Sequence, residues 1–173
     1  MEEDTDRDII DEDFYDENDE DTQKDRYLTF RLGREVYGIE IYYVIEIVGM
    51  HRITEVPDMP GFVKGVINLR GQIIPIMDVR ARFRMEPLEY NDRTCVIVVQ
   101  LDENTIGLVV DTVDEVAVIP SDNIAPPPTV GRGAKSHYIQ GMGKTGNEVK
   151  ILLDVNKLLF EEELATLPDH PQE

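Results

Sequence analysis

Tryptophan is absent from this 173-residue chain, cysteine occurs once, and histidine occurs three times. A single cysteine excludes an internal disulfide. Its place in the strand-like run Thr94-Cys95-Val96-Ile97-Val98-Val99 reads as a buried, inert thiol, because free cysteine behaves as a small hydrophobe. His51, His137 and His170 stand far apart with no second ligand at metal-binding spacing, so neither a metal site nor a histidine-centred active site is expected. Bases are also scarce, 17 against 36 acids, for a net charge of -19. A chain with no basic footprint has nothing with which to grip a phosphate backbone, which excludes nucleic acid as a partner. No apolar run approaches the ~20 residues of a membrane-spanning helix, and the acidic start is the reverse of a signal peptide. A cytoplasmic protein with no direct membrane insertion is expected.

The negative charge sits at the ends. Residues 1–26 carry fourteen acids and three bases, residues 27–160 seventeen acids and fourteen bases, and residues 161–173 five acids and no base. Dense like charge with low hydrophobicity leaves too little apolar surface to offset ordering entropy, so residues 1–25 are expected as a disordered acidic tail. Residues 165–173 read as a second, short tail.

Between them the pattern is that of short strands. Leu28, Phe30 and Leu32 alternate with Tyr27, Thr29 and Arg31, as in a half-buried strand, and Gly33-Arg34-Glu35 turns it. Ile41, Val44, Ile45 and Val48 recur at helical spacing and predict an amphipathic helix of about two turns. Strands are expected over Met50 to Val56, Val66 to Leu69 and Ile73 to Met77, punctuated by Pro57, Pro60, Gly61 and Gly71. Asp78 suits the cap of a short helix reaching Arg84.

The second half repeats the first. A shift of 69 residues lays Tyr27–Val56 over Val96–Ala125, matching Leu32 with Leu101, Gly38 with Gly107, Val44 with Val113 and Glu46 with Glu115. After an insertion containing Pro126-Pro127-Pro128 the shift becomes 76, matching Phe62-Val63-Lys64-Gly65 with Tyr138-Ile139-Gln140-Gly141 and Asp78 with Asp154. Two β-rich lobes follow, one over about 27–90 and one over about 91–160, each a small barrel of about five short strands with one short helix. A lobe of ~60 residues is marginal alone, so the two are expected to share an interface.

Several motifs invite chemistry and fail on context. Gly141-Met142-Gly143-Lys144-Thr145-Gly146 satisfies the spacing of a dinucleotide-binding loop and ends like a phosphate-binding loop. Both require a helix next, whose N-terminus faces the anion. Val149-Lys150-Ile151-Leu152-Leu153 reads as a strand, so a glycine-rich hairpin turn is expected. Asp78 and Asp154 occupy matching places and read as helix caps, not as paired catalytic carboxylates. Arg80, Arg82 and Arg84 read as solvated charge. No catalytic residue, cofactor or metal is expected.

Two features read as binding surface. Tyr42, Tyr43 and Ile47 lie between the positions of the Ile41–Val48 stripe, so a short element cannot hide all of them, and tyrosines are favoured interface anchors. Arg70 precedes a turn glycine, which holds its guanidinium at a rim suited to pairing with a carboxylate.

Here a resemblance appears. The run Phe62-Val63-Lys64-Gly65-Val66-Ile67-Asn68-Leu69-Arg70-Gly71-Gln72-Ile73-Ile74-Pro75-Ile76-Met77-Asp78-Val79-Arg80 resembles the signature of the CheW family. Phe30 to Gly38, Ile39-Glu40-Ile41, Val44-Ile45-Glu46-Ile47, Asp111 to Val118 and Lys150 to Leu159 are similar to it too, so the resemblance covers about 26–164. Val79 stands where the family often has leucine, and the acidic extension lies outside the pattern. The resemblance implies two SH3-like β-barrel lobes around a common core. It also implies a non-catalytic scaffold that binds the cytoplasmic tip of a chemoreceptor and the regulatory domain of the CheA histidine kinase, at the inner face of the membrane through receptor arrays. By position, Ile41, Val44, Glu46, Arg70 and Ile73 fall where the family meets its receptors. The kinase contacts are not placed. Glu46 and Arg70 leave two readings open: they pair with each other, or each reaches a receptor charge. The rival to this function is a general SH3-like module reading proline-rich peptides, for which a groove of clustered aromatics is missing.

Overall fold

The computed structural model describes residues 23–128 and 135–160. The tail expected over 1–25 lies outside the described residues as far as Thr22, and the tail over 165–173 lies wholly outside them. At the boundary, the Ile119 N–H already donates to the Asp25 carbonyl at 2.8 Å.

Among the described residues, eleven strands form two sheets. The first half supplies β1 (Arg26–Leu32), β2 (Glu35–Glu40), β3 (Val44–Gly49), β4 (Val63–Leu69) and β5 (Gln72–Asp78). The second supplies β6 (Cys95–Leu101), β7 (Asn104–Val110), β8 (Thr112–Val118), β9 (Ile124–Ala125), β10 (Ile139–Thr145) and β11 (Glu148–Leu153). Short helices, α1 (Val79–Arg82) and α2 (Val155–Phe160), follow β5 and β11.

The sheets run β3-β6-β7-β5-β4 and β8-β1-β2-β11-β10-β9. The mainly β, two-lobed architecture is as the sequence predicts, but the lobes do not divide where the repeat divides. Each sheet takes its first hairpin from one half of the chain and its remaining strands from the other: β6–β7 sit among β3, β4 and β5, while β1–β2 sit among β8, β10 and β11. The boundary expected near residue 90 therefore falls inside a lobe, between β5 and β6. Connection length explains the exchange. Asp111 alone separates β7 from β8, fewer residues than the two a tight hairpin needs, so β8 cannot fold back on β7 and runs on into the other sheet.

Burial follows from this interleaving. In β6, Val96 and Val98 face the core of one barrel, with Ile67, Leu69, Ile74, Ile76 and Val109. Ile97 and Val99 face the opposite way, into a larger core with Leu28, Phe30, Leu32, Tyr37, Leu108, Tyr138 and Leu153 from both sheets. Tyr27, Ile119 and Leu152 make the smaller core of the other barrel. Strands covered on both faces read as continuous apolar runs, which is why Val96–Val99 shows no alternation.

The expected helix over Ile41–Val48 is not formed. Ile41–Tyr43 is a single 3-10 turn, and Val44–Gly49 is strand β3, antiparallel to β6. The strand expected over Met50 to Val56 reduces to one bridge, Thr54 to Val66. In the second half, Val109 and Val110 fall in β7 and Val113 and Val116 in β8, so the matching stretch is strand there too. Asp78 does cap a helix, accepting from the Ala81 N–H at 3.3 Å, and its counterpart Asp154 accepts from the Lys157 N–H at 3.1 Å. Their backbones match too: the Asp78 N–H donates to Phe62 at 2.8 Å and the Asp154 N–H to Tyr138 at 2.9 Å.

Candidate functional site

β3 and β4 are opposite edges of the five-stranded sheet, and the turn between β4 and β5 bridges them. Leu69 pairs with Gln72, so Arg70 and Gly71 form a two-residue turn. Both have positive φ, +51° and +87°, the combination whose twist suits a tight hairpin. The turn is braced by Asn68, whose Oδ1 accepts the Gly71 N–H at 2.8 Å. From it the Arg70 guanidinium donates to the Glu46 carboxylate on β3. The Arg70 side chain is 68% exposed and that of Glu46 30%.

Exposed apolar side chains occur on the same elements. On β3, Ile45 and Ile47 alternate with Glu46 and are exposed, and Ile73 on β5 is 61% exposed. Tyr42, in the 3-10 turn before β3, is also exposed and meets Tyr43 edge to face, ring centroids 5.3 Å apart. Of the five expected site residues, Glu46 and Arg70 are brought into direct contact, and Ile73 lies on the Arg70 hairpin. Ile41 and Val44 are half-buried and pack on the shared core, so they offer less surface. By sequence, Ile47 reads as surface with Tyr42 and Tyr43, whereas Ile45 falls on the helical stripe, and neither reads as a strand residue. The signal that finds them is the density of β-branched residues in Val44–Val48, which favours a strand with alternate residues outward.

The second lobe lacks this arrangement. Glu115, the match of Glu46, receives Lys150 Nζ at 3.3 Å, and that lysine side chain is only 5% exposed. At the place of Arg70 stands Gly146, φ +62°. One lobe thus carries an exposed cation on its turn, and the other has no side chain there.

The apparent phosphate loop is the β10–β11 hairpin, with Lys144 opposite Val149. Its glycines answer to packing. A Cβ on Gly141 would lie 2.6 Å from Ile124 Cγ2, and one on the matching Gly65, φ +144°, would lie 2.1 Å from the Thr54 carbonyl oxygen. Both are crossing points of backbone, one in each lobe. Among the described residues no group of three or more His, Cys, Asp or Glu could hold a metal ion.

Two of the arginines read as solvated are not. Arg82 is 2% exposed. Its guanidinium carbon lies 4.2 Å from the centroid of Phe62 and 4.9 Å from that of Tyr138, the two residues matched by the repeat. Its Nε donates to the Leu158 carbonyl at 2.9 Å. Arg80 grips Asp111 through Nε and an Nη, each at 2.7 Å, while the Gly33 N–H donates to the same carboxylate at 2.8 Å. Burial pushes the Asp111 carboxyl upward, but these hydrogen bonds and the arginine charge more than offset it, so its pKa lies below the usual value. Composition cannot show that a charge is buried; here the partners that cover the side chains come from distant points in the chain. Cys95, expected buried, is half-buried, its thiol donating to the Arg93 carbonyl at 3.3 Å. Tyr90 donates to Asp78 at 2.6 Å, and burial followed by that bond raises its pKa.

Comparison with known proteins agrees with this architecture. A profile of the CheW-like domain matches residues 26–163. The chain is 39% identical to a chemotaxis protein CheW of Klebsiella aerogenes, over 84% of this chain and 87% of that one. It is 31% identical to protein FrzA of Myxococcus xanthus, over 77% and 84%. The crystal structure of the scaffolding protein TtCheW from Thermoanaerobacter tengcongensis superposes with a TM-score of 0.71 at 33% identity, covering 81% of this chain and 97% of that one. The chain belongs to the CheW-like family of chemotaxis coupling proteins.

Proposed function

We propose that this chain, a chemotaxis adaptor of the CheW family, couples chemoreceptors to the CheA histidine kinase through the open edge of its five-stranded barrel. The receptor face consists of Ile41, Val44, Glu46, Arg70 and Ile73, extended by Ile45 and Ile47. The cytoplasmic tip of a receptor coiled coil is its occupant, and the kinase's regulatory domain is the second partner. The protein is a scaffold without catalysis or cofactor, held in the cytoplasm at the inner face of the membrane by the receptors it binds. The observation that carries the site is the exposed ion pair that joins Arg70 on the β4–β5 turn to Glu46 on β3, the opposite edge of the sheet, with exposed isoleucines on β3 and β5.

The test uses both charges. An exposed ion pair is worth only ~0–1 kcal/mol to folding, so Glu46→Arg and Arg70→Glu should each leave the unfolding midpoint nearly unchanged. A misplaced charge at an interface costs several kcal/mol, so each should weaken binding to a receptor cytoplasmic fragment. The pair already exists in the free chain, so a purely internal role predicts that the double swap restores binding. A receptor-facing role predicts that it binds worse than either single, which is the expected result. Wild-type kinase activation by both single variants would place the receptor site elsewhere.

A further inference from the structure

Arg70 occupies a backbone position to which arginine is poorly suited. Left-handed φ crowds the Cβ of an L-residue, and such positions belong to glycine, with asparagine and aspartate next. The repeat supplies an internal comparison. The matching turn of the second lobe carries Gly146 at φ +62°, where the first carries Arg70 at φ +51°. At the place of Asn68, the second lobe has Lys144. The lobe with glycine at the Arg70 position has lysine, not asparagine, at the bracing position. The lobe with arginine does, Asn68 Oδ1 accepting the Gly71 N–H at 2.8 Å. Strain retained at one copy and absent from the other points to a use for the strained side chain.

We infer that Asn68 is a positioning residue for Arg70. Its side-chain amide locks the turn in the conformation that carries the guanidinium across to Glu46, so that the barrel edge presents a fixed cation instead of a mobile one. A long side chain immobilised before binding loses less entropy when it binds. The partner suited to such a cation is an acidic side chain on a rigid surface. This deepens the receptor-face reading and rests on it for the identity of the partner, but the positioning itself is a property of the free chain.

The experiment compares Asn68→Ala with Asn68→Asp, which keeps an acceptor at the same place. In the free protein, Gly71 amide exchange and rotation of the Arg70 guanidinium are read by NMR. Asn68→Ala should speed both by about tenfold, the equivalent of one lost hydrogen bond, and Asn68→Asp should restore them. Asn68 is exposed near the end of β4, and a thermal melt checks that both variants fold. As a second measurement, Asn68→Ala in an Arg70→Gly background should lower the melting temperature less than it does in the parent chain. With a receptor cytoplasmic fragment, Asn68→Ala should weaken binding, Asn68→Asp should not, and Asn68→Ala should add nothing to Arg70→Ala. Unchanged exchange and rotation in Asn68→Ala would overturn the inference. So would a further loss of binding in the Arg70→Ala background, which would make Asn68 a contact in its own right. Altered NMR signals with unaltered affinity would uphold the positioning and refute the receptor-face reading.

Discussion

Arg82 offers a severe test of how the two sheets are held together. The guanidinium lies between Phe62 and Tyr138, at 4.2 and 4.9 Å from their centroids, and its Nε donates to the Leu158 carbonyl. The two cation–π contacts, shared by one guanidinium, together contribute about 2 kcal/mol. The charged hydrogen bond contributes about 2 kcal/mol, because its loss leaves a buried carbonyl unpaired. Arg82→Ala should therefore destabilise by about 4 kcal/mol, more if the emptied slot does not collapse. Replacing a buried charge by an apolar residue of similar size is often neutral. Here the Leu158 carbonyl gains no donor from methionine, so Arg82→Met should still lose about 2–3 kcal/mol. Urea unfolding at neutral pH, fitted for midpoint and slope, reads both variants. A loss under about 1 kcal/mol for Arg82→Ala would refute the reasoning. Wild-type stability in Arg82→Met would show that the aromatic slot requires only bulk.

Two further expectations rest on equally local geometry. Gly65→Ala places a Cβ on a backbone oxygen at a φ that L-residues avoid, whereas Gly141→Ala meets mainly a side-chain methyl with no positive φ. The first should cost about 3 kcal/mol or more and the second about 1–2, and a reversed order in chemical denaturation would contradict the crossing-point account. Asp111, whose native pKa is lowered, contributes stability that is present above its unfolded value of about 3.9 and lost as pH falls through the native value. Asp111→Asn should therefore be less stable at pH 7 and flatten the decline in urea midpoint below about pH 4; an acid limb as steep as that of the parent chain would show that Asp111 does not carry it.

How much of this could be read from residues alone varies with the distance over which each residue acts. The repeat was legible because matched residues do matched work: Asp78 and Asp154 cap, Phe62 and Tyr138 accept the same backbone bond, and Gly65 and Gly141 open the same crossing. Which copy pairs with which was not, because a repeat relates segments by likeness and says nothing about strand partners. The Ile41–Val48 stretch misled because apolar residues spaced by three and four also occur in any dense run of β-branched residues, and the choice between helix and strand fell to a distant sheet neighbour, β6. Arg70 was legible as a rim cation from the turn glycine beside it, whereas Glu46 came from the family resemblance, which left their pairing open. Arg82 was not, because its aromatic walls stand twenty residues before it and fifty-six after.

The interleaved order of the sheets also has a temporal side. The five-stranded sheet is built from an unbroken stretch, Val44 to Val110, and can close as soon as that stretch has left the ribosome. The hairpin of β1 and β2 is made earlier, yet its neighbours β8 and β11 are made only after the whole five-stranded sheet. The first hairpin therefore waits for them, and the shared core seals only when β11 docks beside β2 in parallel register. Parallel pairing across so long a loop is slow to form, and until then the hairpin exposes apolar side chains of a kind that nascent-chain chaperones bind. A circularly permuted gene beginning at Val44 would deliver one barrel whole and then the other, and should yield more soluble protein during rapid expression.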